Sequence, residues 1–295
     1  MRPALHATVW LAAALVAVAS GCHRTPAVEV GAIRVAQGAL ADPLREAGLD
    51  EGTLERAARD ALGASGFRGG DPRTAHRARV DVLTVKVTPA HGGGGLVAEV
   101  TVELELAPAE GASGFTARES GTGAAPLGGS APAEGWSRAL AAAAREAAGG
   151  LAIARAEAVK PMREVIADLA SPDSRLRGHA VRALAERRDP AAVPALVQRL
   201  SDPDPDVVHR TVGALAQIHD PRAVGPLIDV SRKGDDALAA RVARIIGDIG
   251  GPEARGYLLT VEAGHPDPRV QRAAREALEE MRARDREAAR VAAER

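Results

Sequence analysis

The apolar positions in the second half of the chain return as a block. Leu176, Ala180, Ala183 and Leu184 come back as Val207, Thr211, Ala214 and Leu215. They come back again as Leu238, Val242, Ile245 and Ile246, and then as Val270, Ala274, Ala277 and Leu278. Ahead of each block stands an aspartate, Asp173, Asp204, Asp235 and Asp267, at steps of 31, 31 and 32 residues. Spacings of three and four put each block on one stripe of a helix. An earlier stripe recurs in phase: Val165, Ile166 and Leu169, then Leu196, Val197 and Leu200, then Leu227, Ile228 and Val230, then Leu258, Leu259 and Val261. Four two-helix units are therefore expected. A period this long, sustained over four copies, marks a solenoid whose units bury their apolar faces against one another.

The ends of the expected helices carry their own signals. The first helix of each unit opens at Pro161, Pro190, Pro221 or Pro252, where the missing N–H has no intrahelical partner to lose. Asp189 and Asp220 stand before two of these prolines as caps. The periodic aspartates sit just ahead of the second helices, where each carboxylate accepts from first-turn amides and suits the positive end of the helix dipole. Such a cap is worth about 1 kcal/mol. Proline, glycine and aspartate punctuate the turns between the helices. Small residues, Ala180, Ala183, Thr211, Ala214, Ala273, Ala274 and Ala277, let neighbouring second helices approach closely.

The first half follows another pattern. Residues 50–62 predict a helix capped by Asp50, with Leu54, Ala57, Ala58, Ala61 and Leu62 on one face, ending at Gly66 with Phe67 packed back. Residues 80–87 are rich in β-branched side chains, and their alternation slips at Leu83, which suggests a bulge. Residues 96–106 alternate cleanly, with Leu96, Ala98, Val100, Val102, Leu104 and Leu106 inward and Val97, Glu99, Thr101, Glu103 and Glu105 outward. His91 and four glycines join the two as a hairpin. A third strand is expected over 115–120, and a short one over 28–35. Residues 121–132, small and glycine-rich, read as a loop. A helix follows over 134–158, with Trp136, Leu140, Ala144, Ala147 and Leu151 toward a core. The expected organisation is a tether over 22–45, a small α+β domain over 46–158, a repeat domain over 159–284 and a charged tail over 285–295.

The repeat unit resembles the HEAT-like repeat in its short bacterial form, which is also seen in phycobilin-lyase-type proteins. The residues that carry this are Asp189-Pro190-Ala191-Ala192-Val193-Pro194-Ala195-Leu196, Asp220-Pro221-Arg222-Ala223-Val224, and Leu176-Arg177 through Ala183-Leu184. The resemblance implies an all-α solenoid with protein partners on a concave face lined by the second helices. On those helices Arg177, Arg182, Arg210, Arg241, Arg244, Arg272 and Arg275 form the candidate partner-binding set, suited to an acidic partner. An arginine often follows the first apolar residue of the second helix in the family. Here it is Arg177, but its equivalents are Val208, Ala239 and Gln271, so the aspartates Asp173, Asp204, Asp235 and Asp267 are read as caps and not as an ion-pair ladder.

The amino terminus changes the picture of location. Arg2 precedes an apolar run over 9–19 and then Ser20-Gly21-Cys22, the plan of a secretory signal. The run is shorter than the roughly 20 residues that a spanning helix needs. Ala19-Ser20-Gly21-Cys22 resembles a bacterial lipobox, which implies cleavage of residues 1–21, diacylglycerol on the thiol of Cys22 and acylation of the new terminus. Two or three chains hold a protein at a membrane where one is marginal. The alternative is a plain signal with an incidental cysteine, but Cys22 is the single cysteine of the chain and has no disulfide partner within it. His23 stands where an aspartate is associated with inner-membrane retention, which favours the outer membrane on its periplasmic side.

Composition adds exclusions. The formal net charge is -1 and aromatics are 2% of residues, so neither a basic footprint nor stacking platforms point to nucleic acid. His179, His209, His219 and His265 lie in the repeats without the spacing of a metal site. Residues 92–95 lack the lysine and the strand-to-helix context of a phosphate loop. No GxSxG motif occurs. No catalytic residue, cofactor or metal is expected. The expected role is a non-catalytic scaffold or adaptor in the envelope, with oligomeric state open. The alternatives are a lyase or regulator of a cell-wall enzyme, and a purely structural module.

Overall fold

The computed structural model describes residues 28–36, 42–71, 73, 75–90, 95–128 and 132–294. The expected signal, Cys22, much of the 22–45 tether and residues 91–94 of the hairpin tip lie outside them.

The first half is a mixed sheet under two helices. In chain order come β1 (Glu29–Val35), α1 (Asp42–Glu46), α2 (Glu51–Ala64), β2 (Arg68–Gly69), β3 (His76–Pro89), β4 (Leu96–Ala107), β5 (Ala117–Leu127) and α3 (Pro132–Val159). The sheet order is β2-β1-β3-β4-β5. β1 runs parallel to β2 and β3, while β3, β4 and β5 are antiparallel. The alternation of β4 puts Ala98, Val100, Val102, Leu104 and Leu106 wholly inside. They meet Leu54, Ala58 and Leu62 of α2 and Trp136, Leu140, Ala144 and Leu151 of α3 in one core. Asp50 caps α2, its carboxylate accepting from Thr53 N at 2.7 Å. Phe67 packs back, buried, after Gly66 turns at φ +83°. The slip of pattern at Leu83 is a register shift between Val82 and Thr84.

One expectation for this half fails in an informative way. Residues 121–127, read as loop, are the greater part of β5. The glycines that made the segment look flexible are where α3 lies on the sheet. A Cβ on Gly121 would stand 2.3 Å from Ala143 O, and one on Gly123 2.0 Å from Ala139 O. No side chain fits there, so the strand loses its inward apolar signal while keeping its backbone pairing. Two small elements, α1 with its fully buried Leu44 and β2, were not expected either.

The second half is helical throughout. Its elements are α4 (Met162–Asp168), α5 (Ser174–Arg187), α6 (Val193–Arg199), α7 (Pro205–Ile218), α8 (Val224–Lys233), α9 (Asp236–Ile249), α10 (Pro252–Gly264) and α11 (Pro268–Ala293). Pro190–Ala192 and Pro221–Ala223 are single 3₁₀ turns that lead into α6 and α8. Asp189 and Asp220 cap those turns through Ala191 N and Arg222 N. Each odd-numbered helix from α5 to α11 packs on the next, and each on its shorter partner. Val181, Leu184, Leu196, Leu215, Leu227, Val242, Ile246, Leu258 and Leu278 belong to one continuous core. α11 continues through the segment expected as tail. Its far end is exposed, and Arg284 donates to Asp248 O at 2.8 Å and to Gly247 O, at the carboxy end of α9.

Candidate partner-binding face and the seam between the halves

The turns ahead of the second helices are built alike. Asp173, Asp204, Asp235 and Asp267 occupy the N-cap positions of α5, α7, α9 and α11. Their carboxylates accept from Arg175 N, Asp206 N, Leu238 N and Arg269 N at 2.9, 2.9, 2.8 and 2.7 Å. Two residues earlier a second acceptor holds the amide of the cap itself. Ser171 Oγ takes Asp173 N, Asp202 Oδ1 takes Asp204 N, and His265 Nδ1 takes Asp267 N, at 3.0–3.1 Å. The sequence carried this signal as a side chain with an acceptor two before the aspartate in three of four turns, the fourth being Lys233, which only donates.

Arg177 leaves the candidate set. Its residue exposure is 7%. Nε and Nη2 grip Asp202 at 2.9 and 2.7 Å, and Nη1 donates to Ser171 O and Pro172 O. Burial works against the charged form of Asp202. The Arg177 bond, the Asp204 amide and the charges of Arg177 and Arg199 outweigh it and hold the carboxyl below its usual range. The pair staples the turn before α5 to the turn before α7, so a single rung of an ion-pair ladder exists, made with Asp202 and not with periodic Asp204. Gln271, at the same place in α11, repeats half of the contact by donating to His265 O at 2.6 Å. Val208 and Ala239 have no group that could.

Three further arginines are engaged. Arg182 pairs with Glu119 of β5, Arg175 donates to Glu146 O of α3 at 3.0 Å, and Arg275 meets Glu262 of α10 at 3.0 Å. Arg182 and Arg275 therefore also leave the candidate set, because a carboxylate from the chain itself already satisfies each. Arg210, Arg241, Arg244 and Arg272 are exposed, and among the described residues no ion pair within 4 Å involves them. Arg210 lies over Gly178 of α5, its Cδ 3.4 Å from where a Cβ would be, and Arg241 reaches Gly213 of α7 with Nη2, also 3.4 Å from the Cβ position. Each reaches back across a glycine onto the preceding helix, so the guanidinium groups bridge α5, α7 and α9 on one face.

The seam where α3 packs on α5 was not legible in the sequence. His179 is buried, its Nδ1 3.1 Å from Arg182 Nη2 and its Nε2 3.8 Å from Glu119. Guanidinium only donates, so Nδ1 accepts and the ring proton sits on Nε2, toward Glu119. Burial, opposed by Glu119 and helped by Arg182, Arg210 and Arg175, pushes the imidazole down to about 4. Below this cluster Lys160 Nζ bridges Glu157 and Asp168 at 2.5 Å each, and Arg187 donates to Glu157 O and Lys160 O at 2.7 Å. The second pair of bonds closes the carboxy end of α3. A polar cleft of about 200 Å³ opens beside the seam between Glu119, Glu146, Arg175, His179, Asp206 and Arg210. Among the described residues no cluster of three or more His, Cys, Asp or Glu could hold a metal ion, and no helix is long and apolar enough to cross a membrane.

Comparison with known proteins bears on part of the helical half. Residues 162–243 match the family described as HEAT repeats. That stretch is HEAT-like. HEAT repeats in general mediate protein–protein interaction. No curated protein matches the chain. The crystal structure of an engineered protein from the Northeast Structural Genomics Consortium aligns at 22% identity over 48% of this chain and 74% of that one, with a TM-score of 0.33. A superposition that loose carries no argument.

Proposed function

We propose that the protein is a lipid-anchored scaffold of the bacterial envelope, built of four HEAT-like units behind a small α+β domain. It binds another protein through the face of its second helices. The anchor is Cys22, and the placement is the outer membrane facing the periplasm. The observation that carries the scaffold reading is the division among its arginines. Arg175, Arg177, Arg182 and Arg275 hold the fold, while Arg210, Arg241 and Arg244 stand on one exposed face with no ion-pair partner among the described residues. A non-catalytic role is supported by the use made of the most crowded titratable cluster. Glu119, His179 and Arg182 fix one half of the chain to the other.

The test places a photo-activated cross-linking side chain in turn at Gln217, on the exposed side of α7, and at Thr101, on the open face of the sheet, in cells that make the full chain. Protein adducts from Gln217 and none from Thr101 are expected. Adducts from Thr101 alone would move function to the sheet. The anchor has its own test, since Cys22→Ser is expected to release the protein from membranes into the soluble fraction.

A further inference from the structure

The exposed face of the second helices has a definite charge arrangement. Arg241 and Arg244 lie one turn apart on α9, and Arg210 is the counterpart of Arg241 on α7, each six residues beyond its capping aspartate. Carboxylates share this face. Asp206 stands one turn before Arg210, and Asp248 one turn past Arg244, though Asp248 lies 3.6 Å from Arg284. The balance remains positive, and Arg210 and Arg241 lie over Gly178 and Gly213 of the preceding helices. A guanidinium with five donors in a planar fork takes a carboxylate through two bonds at once. Adjacent packed helices stand roughly 8–10 Å apart. An extended chain in the polyproline II form rises about 3.1 Å per residue with three residues to the turn, so side chains three residues apart share a side and repeat at about the same distance.

We propose that this face binds an extended acidic segment of a partner protein, with Asp or Glu at about every third residue, through Arg210, Arg241 and Arg244. The proposal rests on the scaffold reading and adds to it the chemistry of the partner. Closely spaced acids on an extended chain meet Arg210 of α7 and then Arg241 and Arg244 of α9 as the chain crosses from one helix to the next. Toward α5 the track ends at the polar cleft where Glu119 and Glu146 already pair with Arg182 and Arg175.

The probe is a fluorescein-labelled peptide of twelve residues with Glu at every third position between Gly and Ser, followed by anisotropy on the full chain. Its Gln counterpart serves as control. Binding of the Glu peptide, weakened by salt and absent with the Gln peptide, is expected. Arg210→Gln/Arg241→Gln/Arg244→Gln is expected to weaken it at least tenfold with an unchanged melting curve, since none of the three arginines forms an ion pair among the described residues. Arg163→Gln/Arg290→Gln, which removes two exposed arginines elsewhere, is expected to leave it unchanged. Equal binding of the Gln peptide, or undiminished binding by the triple variant, overturns the proposal. So does binding of phosphatidylglycerol vesicles through the same three arginines that the Glu peptide does not displace. If the peptide fails while Gln217 still cross-links to protein, the acidic segment alone is refuted. If both fail, the scaffold reading falls with it.

Discussion

The two halves of this chain solve the same packing problem in opposite ways. In the helical half a layer is made by repeating one unit, and close approach comes mostly from alanines at fixed places such as Ala180, Ala214 and Ala277. In the sheet half one long helix, α3, lies along one strand, β5, and close approach comes from removing side chains altogether. Gly247 of α9 is the nearest helical equivalent, but what faces it is a side chain, Ala277 Cβ, at 2.5 Å from the built position. Gly121 and Gly123 face backbone. A repeated interface spreads its tolerance over many copies, whereas a unique one concentrates its demands at two residues.

The sharpest way to break that contrast is Gly123→Val. The new side chain would meet the carbonyl of Ala139 with nowhere to go, and α3 would have to lift from the sheet. Overpacking commonly costs 1–3 kcal/mol, and contact with backbone puts this site at or above about 3 kcal/mol. Chemical denaturation should show that loss, with hydrogen exchange accelerating first in β4 and β5. A loss below about 1 kcal/mol would mean that α3 is not held as described.

The helical half has one place where it behaves like the sheet half, the unrepeated staple Arg177–Asp202. Arg177→Met leaves Asp202 buried with only Arg199 and the Asp204 amide near it, and a broken buried pair is among the costlier single changes. The melting temperature should fall by roughly 10 °C. Arg177→Met/Asp202→Leu should recover most of that fall, because the pair is then replaced and not orphaned. A double variant as unstable as the single one would show that Arg177 acts through Ser171 O and Pro172 O instead.

These sites explain what could be read from the sequence. Repetition is visible in one dimension, so the HEAT-like character of 162–243 and the capping aspartates stood out. A bulge leaves a slip in alternation, so Leu83 stood out too. β5 did not, because Gly121 and Gly123 take the same form in a loop and under a helix, and only the partner's position separates the cases. Glu119 and Asp202 reach their arginines across 63 and 25 residues of sequence, and Arg187 reaches main-chain carbonyls 30 and 27 residues back, with no periodic signal at either end. Of the seven arginines singled out, the three that the fold uses differ from the rest only in what stands opposite them.

The seam joins the unique half to the repeated one, and it titrates. His179 sits at about 4 in the folded chain against an ordinary 6.5. Between those values the unfolded chain takes up a proton that the folded chain excludes, so stability falls as pH drops from 6.5 toward 4. The full interval corresponds to about 3 kcal/mol. Denaturation curves at pH 7 and pH 4 should show wild type losing about that much more than His179→Gln. An equal loss in both would mean that the imidazole is solvated and that the seam is open.

The smallest change tests the claim that repeated parts share their load. Asp235 caps α9 by accepting from Leu238 N at 2.8 Å, and its turn is the one without a polar acceptor two residues earlier, since Lys233 stands there. Asp235→Ala removes a lone cap and should cost about 1 kcal/mol. In the turns of Asp173, Asp204 and Asp267 a second acceptor already fixes the cap residue's amide, so the backbone is held in place when the carboxylate goes. Asp173→Ala is therefore expected to cost less than Asp235→Ala, measured by urea denaturation of the full chain. The opposite order would show that the acceptors at Ser171, Asp202 and His265 depend on the caps and do not back them up.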